Sequence, residues 1–215
     1  MHSSLLDKDI REPLFEYLDE KYGKNRILEE KTMGKSRADV VMVLPDSLVG
    51  FEIKSDADTY ARIERQVKDY DIFFDQNYVV VGSSHATHVS EHIPDHWGIL
   101  SVEATDQNVD FYIVREAKPN PHIILARKLN ILWRPELAHI QEKYEMPAYK
   151  QKSKDFVREK IMQKLSPDQL QAEISEALFE RDYSTIKETI DAYRINNGLK
   201  PRRKRPKRKY TRKKI

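Results

Sequence analysis

The stretch Ala-Asp-Val-Val-Met-Val-Leu-Pro-Asp-Ser-Leu-Val-Gly-Phe-Glu-Ile-Lys, residues 38–54, decides the fold. Two apolar runs rich in β-branched residues flank a Leu-Pro-Asp-Ser turn, in which proline stands where its fixed φ is favourable. The pattern predicts a buried strand over residues 38–44, a hairpin turn, and a partner strand over residues 48–53. The rest of the chain is placed around this hairpin.

Two carboxylates meet across the predicted hairpin. If the turn closes symmetrically, Asp39 lies opposite Glu52, and Lys54 shares the face of Glu52. Opposed side chains in an antiparallel pair lie roughly 4.5–5.5 Å apart at Cβ, where like charges are destabilising. A divalent ion would resolve this repulsion by taking oxygen ligands from both carboxylates, and Lys54 could hold or deprotonate an attacking water. The arrangement indicates metal-assisted hydrolysis of a phosphodiester.

The same residues have a simpler interpretation. A Glu-x-Lys triplet is common in a chain in which 34% of residues are charged, and Glu29-Glu30-Lys31 is a second copy. The triplet at Glu52 differs because it ends an apolar strand and has an aspartate in register, with no other polar residue over 40–44. The residues alone leave both interpretations open, a metal site or a plain strand end that emerges into solvent.

Helices and further strands are predicted on both sides of the hairpin. They are a helix from an Asp9 N-cap to Gly23, a strand over 26–32, a helix over 59–74, strands over 78–82, 98–102, 111–114 and 123–126, and helices over 136–144, 154–165, 167–181 and 183–196. We therefore expect an α/β domain over residues 1–130, a helical accessory region over 131–198 and a disordered basic tail over 199–215.

The composition restricts the chemistry. The chain has 215 residues and no cysteine, so any metal must bind oxygen or imidazole. This favours Mg²⁺ or Mn²⁺. No stretch approaches the roughly 18 apolar residues of a membrane span, so we expect no contact with a membrane. The expected location is the cytoplasm, in association with the nucleoid, or the nucleus if the source is eukaryotic.

The charge is unevenly distributed. Of 38 basic residues, 11 fall within the last 16 positions, which leaves 27 basic against 35 acidic residues for the remainder, about −8. Such a tail is expected to remain disordered and to grip DNA phosphates without sequence preference. In a eukaryotic setting it would also pass for a nuclear localisation signal. The tail residues assigned to nucleic-acid binding are Lys200, Arg202, Arg203, Lys204, Arg205, Lys207, Arg208 and Lys209.

Two motifs resemble a known superfamily. Asp39 and Glu52-Ile53-Lys54, with the hairpin between them, resemble the PD-(D/E)XK nucleases, and Gln66-Val-Lys-Asp-Tyr70 resembles the Gln-x-x-x-Tyr motif of their RecB-like branch. The sequence over residues 7–100 is similar to a little-characterised group of bacterial and phage proteins in that superfamily. The proline that usually precedes the aspartate is replaced by Ala38. The resemblance implies a restriction-endonuclease-like core, with a mixed central sheet flanked by helices, and hydrolysis of DNA.

The resemblance also implies a role for each matching residue. Asp39 and Glu52 would bind the metal together with the backbone carbonyl of Ile53, and Lys54 would be the catalytic lysine. The remaining assignments are Glu12 as a helix glutamate near the metal, Gln66 and Tyr70 as residues that orient the lysine or contact the nucleic-acid backbone, and Arg62 as a further nucleic-acid contact.

Other polar residues receive structural interpretations. Asp56 and Asp58 are expected to be loop and helix-cap residues. Ser83, Ser84 and His85 follow a strand, where ligands often bind, but a loop histidine is more often solvated. His88, His92 and His96 are interpreted as surface residues, because Pro94 interrupts any helix that could join them.

The function predicted from the sequence is that of an enzyme, a metal-dependent DNA nuclease, with a role in repair, restriction, phage replication or defence. The alternative is a catalytically inactive nuclease-like module that binds DNA through its tail. The helical region is a candidate surface for a protein partner, and a homodimer is also compatible with the sequence.

Overall fold

The structure is a computed structural model that describes residues 5–55, 58–83, 85–105, 108–182 and 186–199. Its strands are β1 (Arg26–Met33), β2 (Ser36–Val43), β3 (Leu48–Lys54), β4 (Gln76–Gly82), β5 (Gly98–Ala104) and β6 (Val109–Arg115). Its α-helices are α1 (Asp7–Tyr22), α2 (Ile63–Tyr70), α3 (Leu125–Lys128), α4 (Arg134–Lys143), α5 (Lys154–Lys164), α6 (Pro167–Glu180) and α7 (Ile186–Asn196).

The six strands form one mixed sheet in the order β1-β2-β3-β4-β5-β6. β3, β4 and β5 run parallel to one another, whereas β1, β2 and β6 pair antiparallel with their neighbours. α2 connects β3 to β4, a 3₁₀ turn at Val89–Glu91 lies between β4 and β5, and helices cover the two faces of the sheet. The predicted α/β class, with a mixed central sheet flanked by helices, is confirmed.

The predicted hairpin register is also confirmed. Val40 pairs with Phe51 and Val43 with Leu48, which is the symmetric closure of the Pro45-Asp46 turn. Counted from the turn, the pairing of β2 with β3 ends at Val40, and Asp39 is the next residue of β2 beyond it. The strands separate there, and this leaves the Asp39 side chain free to bond elsewhere.

Each face of the sheet carries an apolar core. On one face α1 places Ile10, Leu14 and Leu18 against strand residues such as Val40 and Phe51. On the other face α2 and the C-terminal helices share one continuous cluster with β2 and β4, to which Val41, Tyr70, Val79, Ile140 and Ile174 belong. The helical region therefore packs on the sheet, because burial of apolar area is the main force that holds such layers together.

Two predicted elements differ in the structure. The strand expected over 123–126 is wrong: Leu125–Lys128 is a short helix, and Ile124 donates its N–H to the carbonyl of Ile72 in a loop. A run of four apolar residues carries no period that separates a strand from a helix. The helix expected over 59–74 begins as a 3₁₀ turn at Tyr60–Arg62 and ends at Tyr70.

The start of α1 is also displaced. Leu6 is the residue before the helix, and Asp9 lies in its first turn, where its carboxylate accepts from the N–H of Leu6 at 3.1 Å. Asp9 therefore satisfies a free backbone donor from inside the helix rather than from the N-cap position.

Some expectations lie outside what the structure tests. Residues 200–215, Asp56 and Ser84 fall outside the described residues, so the basic tail and its assigned contacts stay predictions. The boundaries drawn at residues 130 and 198 also stay predictions. Within the described part of the chain, none of the helices combines the length and apolar character needed to cross a bilayer.

Candidate active site

A polar cleft opens where β3 ends, on the sheet face covered by α2. Its volume is about 380 Å³, and it is lined by Asp7, Lys35, Ser36, Arg37, Asp39, Glu52, Ile53, Lys54, Asp58, Arg62, Arg65 and Gln66. Four predicted catalytic residues, Asp39, Glu52, Lys54 and Gln66, therefore line one cavity. They come together because β2, β3 and α2 meet at the same end of the sheet.

Glu52 is the centre of a buried hydrogen-bond network. Its side chain is 2% exposed, and Lys54 donates from Nζ to its Oε1 at 2.6 Å. Gln66 donates from Nε2 to the same oxygen and accepts from Lys54 Nζ at 3.2 Å. Gln66 on α2 thus bonds to both members of the charged pair, Glu52 and Lys54, on β3. Without such bonds, burial would disfavour the two charges.

Tyr70 closes the network from the other side. It lies one helical turn after Gln66, so both side chains point from α2 toward the sheet. The Tyr70 hydroxyl donates to Glu52 Oε2, and it lies 3.3 Å from the backbone oxygen of Arg37. Burial, followed by the nearby negative charge of Glu52, raises the pKa of Tyr70. Its hydroxyl therefore stays protonated and acts as a donor that positions Glu52.

Asp39 stands at the edge of this network, with its side chain 18% exposed. Its Oδ2 accepts from the N–H of Ile53 at 3.0 Å, which replaces the missing rung of the β2–β3 ladder. Burial, and next the negative charge of Glu52, raise the pKa of Asp39 from 3.8 to about 7. Two carboxylates that resist ionising together are the arrangement that a divalent cation stabilises.

The residues present fit a hard divalent cation. Asp39 and Glu52 have carboxylate oxygens at the cleft, and Ile53, whose backbone carbonyl the resemblance assigns as a third ligand, also lines it. This oxygen-only donor set suits Mg²⁺ or Mn²⁺. Glu52 already accepts from three side chains, Lys54, Gln66 and Tyr70, so it would bind a metal through the remaining capacity of its two oxygens.

The structure brings Asp7, and not Glu12, to the cleft. Glu12 is exposed on α1 and does not line the cavity. Asp7 lines it and binds Arg11 through both carboxylate oxygens, while Arg11 Nη1 donates to the backbone carbonyl of Asp39 at 3.1 Å. The assignment of Glu12 to the metal therefore needs correction.

The spacing of α1 contained the signal that would have corrected it. At about 100° per residue, Asp7 and Arg11 project within about 60° of the middle of the face formed by Ile10, Leu14 and Leu18. Glu12 projects on the opposite side of the helix. Sequence reasoning missed both Asp7 and Arg11 because it looked for a glutamate and did not place it on the helical face.

The basic residues at the cleft form an exposed rim. Arg62, whose assignment to nucleic-acid binding stays a prediction, lines the cavity together with Lys35, Arg37 and Arg65, which were not predicted. All four are exposed, and Arg37 also pairs with Glu30 at 3.0 Å. Positive charge thus surrounds an acidic centre, an electrostatic pattern that suits a polyanion whose phosphates approach a metal.

The secondary candidates are placed as follows. Asp58 is a loop residue whose Oδ2 accepts from the N–H and hydroxyl of Ser55 at 3.0 and 2.7 Å. Ser83 is exposed, and His85 contacts Tyr60.

The interpretation of His96 as a surface residue is wrong, because its side chain is only 12% exposed and lies against Asp71. The loop before β5, which carries His96, packs against the end of α2. No local sequence pattern predicts that contact, because the two segments are distant in sequence.

The family model of bacteriophage P4 protein cII matches residues 1–200. The chain belongs to this cII family. Protein cII of Enterobacteria phage P4 is 22% identical over 202 residues, which span 93% of this chain and 76% of that protein. Membership of the cII family supports the association with bacteriophages that the sequence predicted.

Two solved structures are similar to this member of the cII family. A protein of unknown function from Silicibacter pomeroyi is 24% identical, over 57% of this chain and 81% of that one, with a TM-score of 0.44. SfsA from Pyrococcus furiosus, solved in complex with Ca²⁺, is 14% identical, over 57% and 68% of the two chains, with a TM-score of 0.35. Both TM-scores are below 0.5.

Proposed function

We propose that this cII-family protein is a metal-dependent nuclease that hydrolyses DNA phosphodiester bonds, with a site of the PD-(D/E)XK type. The observation that supports it most is the buried charged network of Glu52 and Lys54, held by Gln66 and Tyr70 beside the Asp39 carboxylate. A plain strand end would leave such charges in water. Their burial costs stability that a structural role would not require.

Asp39, Glu52 and the Ile53 carbonyl would hold Mg²⁺ or Mn²⁺. When bound, the ion would supply Lewis-acid stabilisation of a phosphate oxygen and a more acidic water. Lys54 has three donor hydrogens, and Glu52 and Gln66 take two of them. The third remains to hold the attacking water or a phosphate oxygen in the cleft.

The exposed rim supports DNA as the substrate. Lys35, Arg62 and Arg65 line the cleft and would contact phosphates on either side of the bond that is cut. The predicted basic tail, residues 200–215, would add affinity that falls as salt rises. In this proposal the exposed rim positions the DNA backbone, and the metal bound at Asp39 and Glu52 promotes its hydrolysis.

The test is cleavage of plasmid and single-stranded DNA in Mg²⁺, in Mn²⁺ and in chelator. Wild type is compared with Lys54→Met, and Lys68→Ala serves as the control. Lys68 lies on α2 with its side chain 72% exposed, and it pairs with Glu64 in a surface i,i+4 contact. Metal-dependent cutting that is lost in Lys54→Met and kept in Lys68→Ala is the expected result. Equal cutting by wild type and Lys54→Met would overturn the assignment.

A second candidate function is a DNA-binding module without catalysis. The observation that favours it is that Glu52 already accepts from three side chains, Lys54, Gln66 and Tyr70, which stabilise its charge without a cation. Calorimetric titration with Mn²⁺ separates the two functions. A nuclease site binds Mn²⁺ in the wild type and loses it in Asp39→Asn, whereas a module without a metal site gives no heat of binding in either.

A further inference from the structure

A cluster of two histidines and an aspartate lies outside the cleft. Asp71 follows the last residue of α2, His96 precedes β5, and His122 lies in the segment between β6 and α3. One ligand atom from each residue lies within 4.8 Å of the other two, and His96 Nε2 is 3.1 Å from Asp71 Oδ1. Three segments that are distant in sequence thus bring two imidazoles and a carboxylate to one point.

The cluster lies toward the opposite end of the parallel strands from the catalytic cleft. Asn77, which donates to Asp71, pairs with Gly50 near the start of β3, whereas Lys54 pairs with Val81 at its end. Four residues of strand correspond to about 13 Å. The two groups of side chains are therefore separate sites, and the proposal below does not rest on the nuclease assignment.

Hydrogen bonds fix the backbone on which the three residues stand. The Asn120 amide donates to the carbonyls of Asp71 and Phe74, both at 2.7 Å, and its oxygen accepts from the N–H of His122 at 2.9 Å. The N–H of Lys118 donates to the carbonyl of His96 at 2.9 Å. The segment that carries His122 is thus tied to the other two before any ligand is bound.

Two further donors hold the Asp71 carboxylate in place. Trp97 Nε1 donates to Asp71 Oδ1 at 2.8 Å, and Asn77 Nδ2 donates to the same oxygen at 3.2 Å. The Trp97 indole is completely buried, and Asp71 is 7% exposed. Donors of this kind orient the ligands of metal sites and raise metal affinity. His122 is exposed and leaves the cluster open to water on one side.

We propose that Asp71, His96 and His122 bind a Zn²⁺ ion, with water as a fourth ligand, and that the ion clamps the segment after β6 to the end of α2. Zinc takes imidazole nitrogen at about 2.0–2.1 Å and carboxylate oxygen at about 2.0–2.2 Å in a tetrahedron. Entry of the ion would replace the His96–Asp71 hydrogen bond and draw the exposed His122 ring inward. The imidazole pair selects zinc over magnesium, which prefers oxygen ligands.

The test uses the full-length protein, freed of metal with a chelator and titrated with Zn²⁺ by calorimetry. The variant is His122→Ala, whose exposed side chain can be removed without a cavity. His88→Ala is the matched control, because His88 is also exposed and stands outside the cluster. Asp39→Asn is measured in parallel, so that Zn²⁺ bound in the catalytic cleft is recognised separately.

The expected result is one Zn²⁺ bound at the cluster with equal affinity in wild type, His88→Ala and Asp39→Asn, apart from any ion in the cleft, which Asp39→Asn removes. In His122→Ala the affinity falls about 100-fold or more. Zinc at 100 times its Kd raises the Tm of the wild type by about 5 °C and leaves the Tm of His122→Ala unchanged. Unaltered affinity in His122→Ala, or no binding by wild type at about 0.1 mM Zn²⁺, would show that the cluster is only a hydrogen-bonded loop junction.

Discussion

Replacement of Asp39 by asparagine should stabilise the metal-free protein while it abolishes catalysis. Asparagine keeps the shape of the side chain, and its amide oxygen can still accept from the N–H of Ile53. It removes the charge that burial and Glu52 oppose, which is the cause of the raised pKa of Asp39. Stability and activity are therefore expected to change in opposite directions.

The magnitude follows from the difference between the two pKa values. A tenfold change in a protonation equilibrium is worth about 1.4 kcal/mol, so a rise from 3.8 to about 7 sets a ceiling of about 4 kcal/mol. Below pH 4 the carboxyl is protonated in the folded and the unfolded chain, and the wild type carries no penalty. The penalty grows as the pH rises from 4 to 7 and is complete above pH 7.

The assay is urea denaturation in chelator at a series of pH values, with wild type and Asp39→Asn side by side. The free energies of unfolding should coincide near pH 4 and differ by about 2–4 kcal/mol at pH 8, with the variant more stable. Saturating Mg²⁺ should reduce that difference by stabilising only the wild type. A difference that stays constant with pH would refute the argument that Asp39 is strained by burial and by Glu52.

Three further predictions concern the network, the core and the tail. Tyr70→Phe removes the hydroxyl that donates to Glu52. The free energy of unfolding should therefore fall by about 1–3 kcal/mol in a denaturation curve. Equal stability would show that the buried Glu52 carboxylate does not depend on that hydrogen bond. In Gly50→Ala the new Cβ would meet the Phe74 ring and lie 2.9 Å from Asn77 Oδ1. We therefore expect the free energy of unfolding to fall by about 1–3 kcal/mol in a denaturation curve. An unchanged free energy would mean that the Phe74 ring moves easily. Truncation after Leu199 removes 11 basic residues. The affinity for DNA, measured by fluorescence anisotropy, should fall, and it should depend less steeply on salt concentration. An unchanged salt dependence would place the phosphate contacts in the cleft rim instead.

The hairpin shows what local sequence can establish. Side chains alternate along a strand, and a turn of fixed length sets the register, so the spacing of Asp39 and Glu52 was sufficient to bring them together. The four-residue spacing of Gln66 and Tyr70 placed both on one face of α2 for the same kind of reason. These are short-range regularities, and the structure confirms that all four residues meet.

The residues that sequence reasoning missed depend on long-range packing. Asp7 reaches the cleft, and Arg11 reaches the backbone carbonyl of Asp39, only because α1 packs across the sheet. The loop that carries His96 and the segment that carries His122 meet Asp71 because β5 and β6 extend the sheet beside β4. The pKa of Asp39 likewise depends on burial by neighbours that are distant in sequence.

The sequence by itself determined the α/β class, the hairpin register and the central acidic and lysine residues, because strand and helix periods are written in the order of residues. Tertiary structure alone decided which carboxylate of α1 enters the cleft, which side chains donate to Glu52, and that two histidines and an aspartate lie together at the other end of the strands. Those arrangements arise from the docking of layers, whose contacts join segments that carry no local record of one another.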